Sequence, residues 1–432
     1  MAREMKDSGI EWIGAIPQDW KTDRLQWHLK EINVSNNPIQ TKNILSLTIE
    51  AGVIPYAEKG NQGNKAKEDY SQYKIAFPDT LVINSMNVII GAVGISQYFG
   101  CVSPVYYVFE PIEGTDLRYI YYLFTNTGFQ KEMRKYAKGI LEIRLRISSN
   151  DMLKRIVPSP PFKEQQRIAD YLDKMCAEID AVLEKTRASI EEYKKLKQAV
   201  ITQAVTKGIR GDRPMKNSGI EWIGEIANEF AVYKFKYLLK TPMQYGANEA
   251  GITFDKTLPR YIRITDITSD GRLKQDNRLC IEDTVAKPYI LQDGDLLFAR
   301  SGGTVGKSFL YKQSYGNAAF AGYLIRAVVN RTIAVPEYVY YYTNSSIYDT
   351  WKNSIFIQST IQNIGADRYS NMPIIVPNNI EEQRSIVEYL NERCVGIDAL
   401  IRKKQQYLTE IENYKKSLIY EYVTGKKEVH PL

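Results

Sequence analysis

Two segments of this chain are written twice, in the same order, and this repeat limits the possible architecture more than any other feature. "KDSGIEWIGAIPQDW" at residues 6–20 returns as "KNSGIEWIGEIANEF" at residues 216–230. "FKEQQRIADYLDKMCAEIDAVLEK" at 162–185 returns as "IEEQRSIVEYLNERCVGIDALIRK" at 380–403. Each half therefore has an opening motif, a divergent region and a closing segment, and the pattern predicts one fold present in two copies.

The closing segments predict long helices, because apolar residues recur at spacings of three and four between charged residues. Each helix runs about 40 residues, or roughly 60 Å. An apolar stripe of this length must be covered, and the simplest cover is the other copy, packed antiparallel with pseudo-two-fold symmetry. Burial of each stripe against its own domain is the alternative. The two stripes comprise Ile168, Leu172, Met175, Ile179, Val182, Ile190, Tyr193, Leu196 and Val200, and Ile386, Leu390, Cys394, Ile397, Ile401, Leu408, Ile411 and Leu418.

The divergent regions predict mixed structure. Runs such as "DTLVINS", "CVSPVYYVFEP", "YIRITDI" and "DLLFARS" are rich in β-branched and aromatic residues and bounded by turn formers, which is typical of strands. Each region then ends in an aromatic helical segment. The sequence therefore predicts an α+β fold in which two similar mixed α/β domains are joined by two long antiparallel, coiled-coil-like helices. Its expected parts are an opening motif (1–20), a first domain (21–159), a long helix (160–208), a linker with the repeated motif (209–230), a second domain (231–376), a second long helix (377–426) and a tail (427–432).

The stretch "FARSGGTVGKSFLY" at 298–311 looks like the phosphate-binding loop of an ATPase. Such a loop needs a Gly five positions before the Gly of the Gly-Lys-Ser end, followed by a helix whose N-terminus faces the phosphates. Position 301 is Ser, and the aromatic residues that follow do not predict a helix. The corresponding stretch of the first half, "NSMNVIIGAVGIS" at 84–96, has no Lys. We therefore expect a hairpin-like loop in both halves and no nucleotide binding.

Composition and charge limit the classes of function that this chain can have. The net charge of +7 permits nucleic-acid binding, and both divergent regions are basic, with 17 Lys and Arg against 13 Asp and Glu at 21–160, and 17 against 12 at 231–377. Four distant cysteines and two histidines, His28 and His430, argue against a metal site, and we expect both histidines at the surface. The chain has no run of about 18 apolar residues, so a soluble cytoplasmic protein without a membrane partner is expected.

With these motifs assembled, the chain resembles the specificity subunits of type I restriction-modification systems over essentially its whole length. The resemblance rests on "SGIEWIG" at Ser8 and Ser218, "PSPPFKEQQRIA" from Pro158, and "VPNNIEEQRSIV" from Val376. "GDLLFARSGGTVGKSFLY" also looks like one common type of target recognition domain. The resemblance implies two such domains that each read one half of a bipartite double-stranded DNA site.

The resemblance further implies a non-catalytic chain that acts through partners. A methyltransferase using S-adenosylmethionine would be directed to an adenine in each half-site, and a motor-nuclease would cut unmodified DNA. ATP and Mg²⁺ are then expected in partner subunits and no cofactor in this chain. The duplicated helix predicts docking surfaces for two methyltransferase subunits. Three alternatives stay open: the recognition subunit of a motor-less methyltransferase-nuclease system, an enzyme with an unrecognised active site, and a scaffold that binds only protein.

Candidate DNA contacts lie in the corresponding loops of the two halves. Arg and Lys side chains can pair with guanine acceptors, and Asn and Gln side chains with adenine. The segments at 136–151 and 356–370 also correspond and are polar, with basic residues. The candidates are Asn84, Met86, Asn87, Lys138, Arg144 and Arg146 in the first half, and Arg300, Ser301, Gly303, Thr304, Lys307, Tyr323, Arg326, Gln358, Gln362 and Asn363 in the second.

Overall fold

The computed structural model describes residues 3–49, 51–60, 69–86, 90–139, 145–268, 271–357 and 362–429. The chain separates into two compact units. Unit 1 consists of Met1–Arg187 with Gln406–Leu432, and unit 2 consists of Ala188–Gln405.

Unit 1 contains β1 (Met5–Asp7), β2 (Ala15–Pro17), β3 (Lys21–Arg24), β4 (Leu29–Ile32), β5 (Leu45–Thr48), β6 (Gly52–Pro55), β7 (Lys74–Ala76), β8 (Thr80–Asn84), β9 (Val93–Ser96), β10 (Gly100–Val102), β11 (Tyr106–Pro111), α1 (Leu117–Thr125), α2 (Thr127–Tyr136), α3 (Ser149–Leu153), β12 (Ile156–Ser159) and the first part of α4 (Phe162–Lys207). Unit 2 contains the rest of α4, then β13 (Met215–Asn217), β14 (Glu225–Ala227), β15 (Phe230–Lys234), β16 (Gln244–Tyr245), β17 (Ile252–Thr253), β18 (Arg260–Ile262), β19 (Leu279–Cys280), α5 (Asp283–Ala286), β20 (Leu296–Ala299), β21 (Ser308–Leu310), β22 (Ala318–Phe320), β23 (Leu324–Ala327), α6 (Pro336–Tyr342), α7 (Ser346–Ile357), α8 (Ala366–Ser370), β24 (Pro373–Pro377) and the first part of α9 (Ile380–Val423). The end of α9 belongs to unit 1.

The same core sheet is built in each unit. Its strand order is β4-β11-β8-β9 in unit 1 and β16-β23-β20-β21 in unit 2, and all neighbours are antiparallel. A pair of strands leads into each long helix, β3 with β12 in unit 1 and β15 with β24 in unit 2. The prediction of one fold in two copies is therefore confirmed.

The units differ in what they add to this core. Unit 1 adds two pairs of strands, β5 with β6 and β7 with β10. Unit 2 instead adds a four-stranded sheet in the order β17-β19-β18-β22, in which β18 and β22 are parallel. The sequence divergence between the two regions thus corresponds to different additions to a shared sheet.

The repeated opening motif forms the same turn in both units. The hydroxyl of Ser8 accepts a hydrogen bond from the backbone two residues later at 3.0 Å, and Ser218 does the same at 3.2 Å. The following glycines, Gly9 and Gly219, have φ of 68° and 80°. Only glycine adopts this left-handed region without steric cost, so the Ser-Gly pair fixes the turn that begins each motif.

An ion pair ties each opening motif to the first turn of a long helix. In unit 1, Arg3 donates to Glu164 at 2.6 Å, and the indole nitrogen of Trp20 donates to the same carboxylate at 2.9 Å. In unit 2, Arg213 donates to Glu382 at 2.6 Å. Glu164 is buried and the side chain of Glu382 is 11% exposed, so each carboxylate is compensated by its cation, and the ion pair fixes the start of the helix against the motif.

In unit 1 the first part of α4 packs antiparallel against the last part of α9. Lys415 pairs with Asp180 at 2.6 Å, and Arg187 pairs with Glu412 at 2.8 Å. Residue numbers therefore rise along α4 while they fall along α9. Buried Leu172, Ile179 and Leu183 belong to one apolar cluster with residues near the end of α9. The other helix covers this stripe, as predicted, and the unit's own domain covers it as well, since Tyr119 and Leu123 belong to the same cluster.

In unit 2 the last part of α4 packs in the same way against the first part of α9. Lys197 pairs with Asp398 at 2.8 Å, and the amine of Lys404 lies 5.8 Å from the centre of the Tyr193 ring. The pairing again runs antiparallel, which confirms the helical part of the predicted fold. In the ranges described above, no helix is long and apolar enough to cross a bilayer.

The sequence prediction assigned two residues wrongly to the buried stripe of α4. Val182 and Leu196, assigned to the apolar stripe, are 40% and 48% exposed, and Leu183 is buried in place of Val182. An α-helix has 3.6 residues per turn, so a stripe read with coiled-coil spacing drifts around the helix over many turns.

His28, expected at the surface, is buried. Its Nδ1 lies 3.1 Å from the hydroxyl of Thr115, and burial lowers the pKa of the imidazole. The other histidine, His430, lies outside the described residues.

Candidate nucleic-acid interface

The glycine-rich stretch of unit 2 forms a hairpin. Strands β20 and β21 pair antiparallel, with Phe298 opposite Ser308, and Gly306 at the return has a φ of 84°. A strand, not a helix, follows Lys307. Because the chain continues from Lys307 as a strand, the hairpin lacks the following helix whose N-terminus binds phosphates in nucleotide-binding loops. The predicted hairpin-like loop is confirmed.

Three separate segments of unit 2 meet at the start of this hairpin loop. The backbone N–H of Arg300 donates to the carbonyl of Tyr323 at 3.1 Å, and the carbonyl of Arg300 accepts from the N–H of Ile364 at 2.8 Å. Ser301 and Asn363 form an antiparallel bridge. The fold thus brings together candidates that lie more than 60 positions apart in the sequence. We call Arg300, Ser301, Tyr323, Gln362 and Asn363 the unit 2 cluster.

The unit 2 cluster combines hydrogen-bonding groups with an exposed aromatic surface. Gln362 and Asn363 are exposed, and Tyr323 is 61% exposed. The guanidinium of Arg300 lies 5.0 Å from the centre of the Tyr245 ring, and its Nε is buried without a hydrogen-bond partner among the described residues. A guanidinium held on an aromatic face can present its two terminal nitrogens to a planar acceptor such as a base edge.

The remaining candidates of this hairpin occupy its loop. Gly303 is exposed and Thr304 is half-buried, and the carbonyl of Thr304 accepts from the N–H of Lys307 at 3.0 Å. The side chain of Lys307 is exposed and lines a cleft together with residues of the two long helices.

Arg326 does not fit a base-reading role. It lies in β23, and its guanidinium donates to the carbonyl of Ile290 at 2.9 Å and to the side chain of Gln244 at 2.5 Å. The same guanidinium lies 3.7 Å from the buried carboxylate of Asp295. Both terminal nitrogens of its guanidinium are used within the protein, so we exclude Arg326 from the interface. The sequence gives no sign of this, because the partners come from distant segments.

In unit 1, three candidates meet at the end of β8. Lys138 and Arg146 exchange two backbone hydrogen bonds, of 2.7 and 2.8 Å. The guanidinium of Arg146 lies 3.8 Å from the sulfur of Met86. Both basic side chains are exposed, and Met86 is half-buried. We call Met86, Lys138 and Arg146 the unit 1 cluster.

Asn84 does not belong to this surface. Its side chain is buried, and its amide oxygen accepts from the N–H of Met86 at 3.0 Å. This is the turn that a short polar side chain forms with the backbone two residues later. Asn84 therefore shapes the end of β8 and does not face outward. Three other candidates, Asn87, Arg144 and Gln358, lie outside the described residues.

The two clusters occupy the same place in the shared fold. In unit 1 the N–H of Ile147 donates to the carbonyl of Ser85 at 3.3 Å, and in unit 2 the N–H of Ile364 donates to the carbonyl of Arg300 at 2.8 Å. Both isoleucines are buried, and a short helix begins within two residues after each, α3 and α8. The same backbone bond therefore joins each hairpin to the loop that follows the aromatic helices.

Sequence reasoning missed the aromatic supports of these surfaces. Besides Tyr245 below Arg300, the guanidinium of half-buried Arg155 lies 3.4 Å from the centre of the exposed Tyr136 ring in unit 1. The abundance of tyrosine, 31 in the chain, was the only available sign. Composition cannot single out which tyrosines lie under an arginine.

Comparisons with known proteins agree with this architecture. The family model described as the type I restriction modification DNA specificity domain matches residues 17–192 and 260–412. The chain is 24% identical over 277 residues to the type I restriction enzyme EcoKI specificity subunit of Escherichia coli K12, which covers 62% of this chain and 57% of that protein. It is 24% identical over 322 residues to the MjaVIII specificity subunit of Methanocaldococcus jannaschii, covering 73% and 71%.

A solved structure has the same fold. It is a chain from a study of complex assembly and conformational transition of the type I R-M system, with a TM-score of 0.67 and 14% identity, and the match covers 95% of this chain and 99% of that one. The alignment with the EcoKI subunit spans less than two thirds of that relative's length. The family model, however, covers most of the present chain in two blocks, one largely in each unit. The chain belongs to the family of type I restriction-modification specificity subunits.

Proposed function

We propose that this chain is the DNA-recognition subunit of a type I restriction-modification complex. Residues 21–159 read one half of a bipartite double-stranded DNA site, and residues 231–376 read the other. The observation that carries this proposal is the equivalent placement of the two clusters. Different exposed side chains are held at the same point of two copies of one fold by the same backbone bond. Two readers with different side chains suit a site with two different halves.

The chemistry of each cluster suits direct reading of bases. In unit 2, the fork of Arg300 matches the two acceptors of guanine in the major groove, and the amides of Gln362 and Asn363 match adenine. In unit 1, Arg146 and Lys138 offer donors only. Exposed Tyr323 and Tyr245 offer flat faces and hydroxyl groups that suit contact with nucleic acid.

Catalysis is assigned to partners. A methyltransferase using S-adenosylmethionine modifies an adenine in each half-site, and a motor-nuclease using ATP and Mg²⁺ cuts unmodified DNA. Two methyltransferase subunits dock on the long helices, because each unit contains an equivalent antiparallel pair of helical segments and equivalent elements can bind like partners. No cofactor is assigned to this chain. Turnover by the purified chain alone, with DNA, Mg²⁺, ATP and S-adenosylmethionine, would contradict this division of labour.

A domain exchange tests the reading of half-sites. Residues 21–159 are replaced by the equivalent segment of a relative, and the chimera is produced with the methyltransferase partner in cells that lack other adenine methylation. Sequencing of methylated positions in genomic DNA gives the recognised site. We expect one half of the site to change and the other half, with its spacer, to remain.

The matched control exchanges residues 231–376 and should change the opposite half only. A site in which both halves change with either exchange, or in which neither half changes, would show that the units do not read DNA independently. Methylation of the parental site by the parental chain establishes that the partner is active in these cells.

A further inference from the structure

A basic cleft of about 710 Å³ lies within unit 2, between the two long helices and the β20–β21 hairpin. Residues from five separate segments of the unit line it. Its cations are Lys194, Lys195, Lys197, Lys307, Lys352 and Arg402.

Among the described residues, half of these cations have no carboxylate partner. Three are paired at 2.5 to 2.8 Å, Lys194 with Glu191, Lys197 with Asp398 and Lys352 with Asp349. Lys195, Lys307 and Arg402 are exposed, and none of them has a salt-bridge partner within the residues that the structure describes. An excess of unpaired cations around an open cleft favours a polyanion.

The helical positions of this cleft carry different charges in unit 1. The repeat aligns the long helices with an offset of 218, and the ion pairs Lys197–Asp398 and Lys415–Asp180 have that same offset. At this offset, the positions of Lys194, Lys195 and Arg402 are filled in unit 1 by residues that carry no positive charge: Glu412, Asn413 and Glu184.

The hairpin of unit 1 also lacks a positive charge that the hairpin of unit 2 carries. The N–H of Ala299 donates to the carbonyl of Lys307 at 2.8 Å, and in unit 1 the N–H of Asn84 donates to the carbonyl of Ala92 at 3.1 Å. Ala92 therefore takes the place of Lys307. Over these helical and hairpin positions, unit 2 has five cations and two carboxylates, and unit 1 has three of each.

We propose that this cleft binds phosphates of the DNA backbone beside the half-site read by unit 2. The equivalent positions of unit 1 do not bind phosphates in this way. The inference rests on the proposed function. The hairpin that presents Arg300 at the end of β20 carries Lys307 at the start of β21, so the cleft and the unit 2 cluster share one element. DNA read by the cluster therefore passes close to the cleft, which favours DNA over an acidic protein as the occupant.

The salt dependence of DNA binding tests the cleft. The full chain and the Lys195→Gln/Arg402→Gln variant bind a labelled duplex of about 40 base pairs that carries the recognised site, over about 50 to 200 mM salt. Each lost phosphate contact lowers the slope of log K against log salt by about 0.9, so we expect a decrease of about two. The matched control, Lys174→Gln/Lys185→Gln, removes two exposed cations of α4 in unit 1 and should change the slope by less than half as much.

The outcomes separate the two proposals. Failure of the unchanged chain to prefer its site over random duplex would overturn the proposed function and the cleft with it. Preserved site preference with an unchanged slope in the cleft variant would overturn the cleft alone. An unchanged slope together with lost assembly of a methyltransferase subunit would identify the cleft as a protein-docking surface and reject DNA as its occupant. Matching far-UV circular dichroism and unfolding midpoints establish that both variants are folded.

Discussion

The two units are alike where chain segments are held together and different where side chains meet solvent. Gln165 on α4 accepts from the N–H of Asp116 at 3.0 Å, and Gln383 on α9 accepts from the N–H of Val335 at 2.9 Å. The hairpins, in contrast, present Met86 in unit 1 and Ser301 in unit 2. A framework fixed by buried polar contacts can carry different exposed residues, because surface substitutions cost little stability.

The shared buried framework also differs between the units at a few positions, and these positions allow the two units to be compared by mutation. Trp20 in unit 1 corresponds to Phe230 in unit 2, and each ring lies beside the arginine of an equivalent ion pair. His28 corresponds to Leu238, since the carbonyls of both accept an equivalent backbone bond, from Ile112 at 2.9 Å and from Asn330 at 2.8 Å. At each of these two positions, the residue of unit 1 can be replaced by the residue that unit 2 has at the equivalent place.

The largest effect is expected at Trp20. Trp20→Ala should lower the free energy of unfolding of unit 1 by about 3–5 kcal/mol, because it leaves a cavity around a fully buried ring. Trp20→Phe copies unit 2 and should cost about 1–3 kcal/mol, since mainly the hydrogen bond to Glu164 is lost. Urea unfolding followed by circular dichroism measures both. Equal losses in the two variants would show that the hydrogen bond, not ring packing, dominates.

A smaller effect is expected at the base-reading surface. Arg300→Ala should weaken binding of the recognised duplex by about 1–3 kcal/mol and relax preference in one half-site only. Arg146→Ala should act on the other half-site. Binding to duplexes that vary one half at a time measures the difference. Arg300→Lys keeps the charge but loses the planar fork, and full recovery of preference by this variant would argue against bidentate reading.

A still smaller difference between the units is expected in the pH dependence of their stability. Burial lowers the pKa of His28 below its usual 6.5, so the unfolded chain binds more protons than the folded chain below that pH. Stability should therefore be unaffected by His28 above about pH 7 and should fall as the pH drops through 6.5, by at most about 1.4 kcal/mol per unit. His28→Leu copies unit 2 and should remove this part of the pH dependence. Parallel unfolding curves for both chains between pH 7 and 5 would contradict the assignment.

The smallest effect is expected at Lys307. Lys307→Ala should weaken binding equally for all DNA sequences and lower the salt slope by about one, as expected for a phosphate contact. Titration of specific and random duplexes measures both quantities. A loss confined to the recognised duplex would place Lys307 among the base-reading residues. Saturable ATP binding that disappears in this variant would revive the nucleotide-binding interpretation of the hairpin.

Much of the fold could be predicted because the repeat supplies internal evidence. The long helices followed from apolar spacing, and the observed bounds Phe162–Lys207 and Ile380–Val423 lie within a few residues of the predicted ones. The stripe itself was misplaced at Val182 and Leu196. Spacing gives the period of a helix, but the residues that become buried depend on where the partner helix lies.

The sequence named the candidate residues but did not show which of them lie together. Arg300, Ser301 and Asn363 meet in unit 2, whereas Arg326 is used inside the domain and Asn84 caps a turn. A side chain's chemistry is visible in the sequence, but its direction is set by strand register. A shift of one position turns every side chain of a strand to the other face.

The sequence by itself determined that this chain is built twice, that long amphipathic helices close each half, and that the glycine-rich stretch is no phosphate loop. These are local or periodic properties, and local backbone preferences with apolar spacing are enough to fix them. Only the tertiary structure decided which candidates share a surface, which cations of the unit 2 cleft have carboxylate partners, and that His28 is buried. Such properties depend on groups far apart in the sequence, and their separation in space is set by packing.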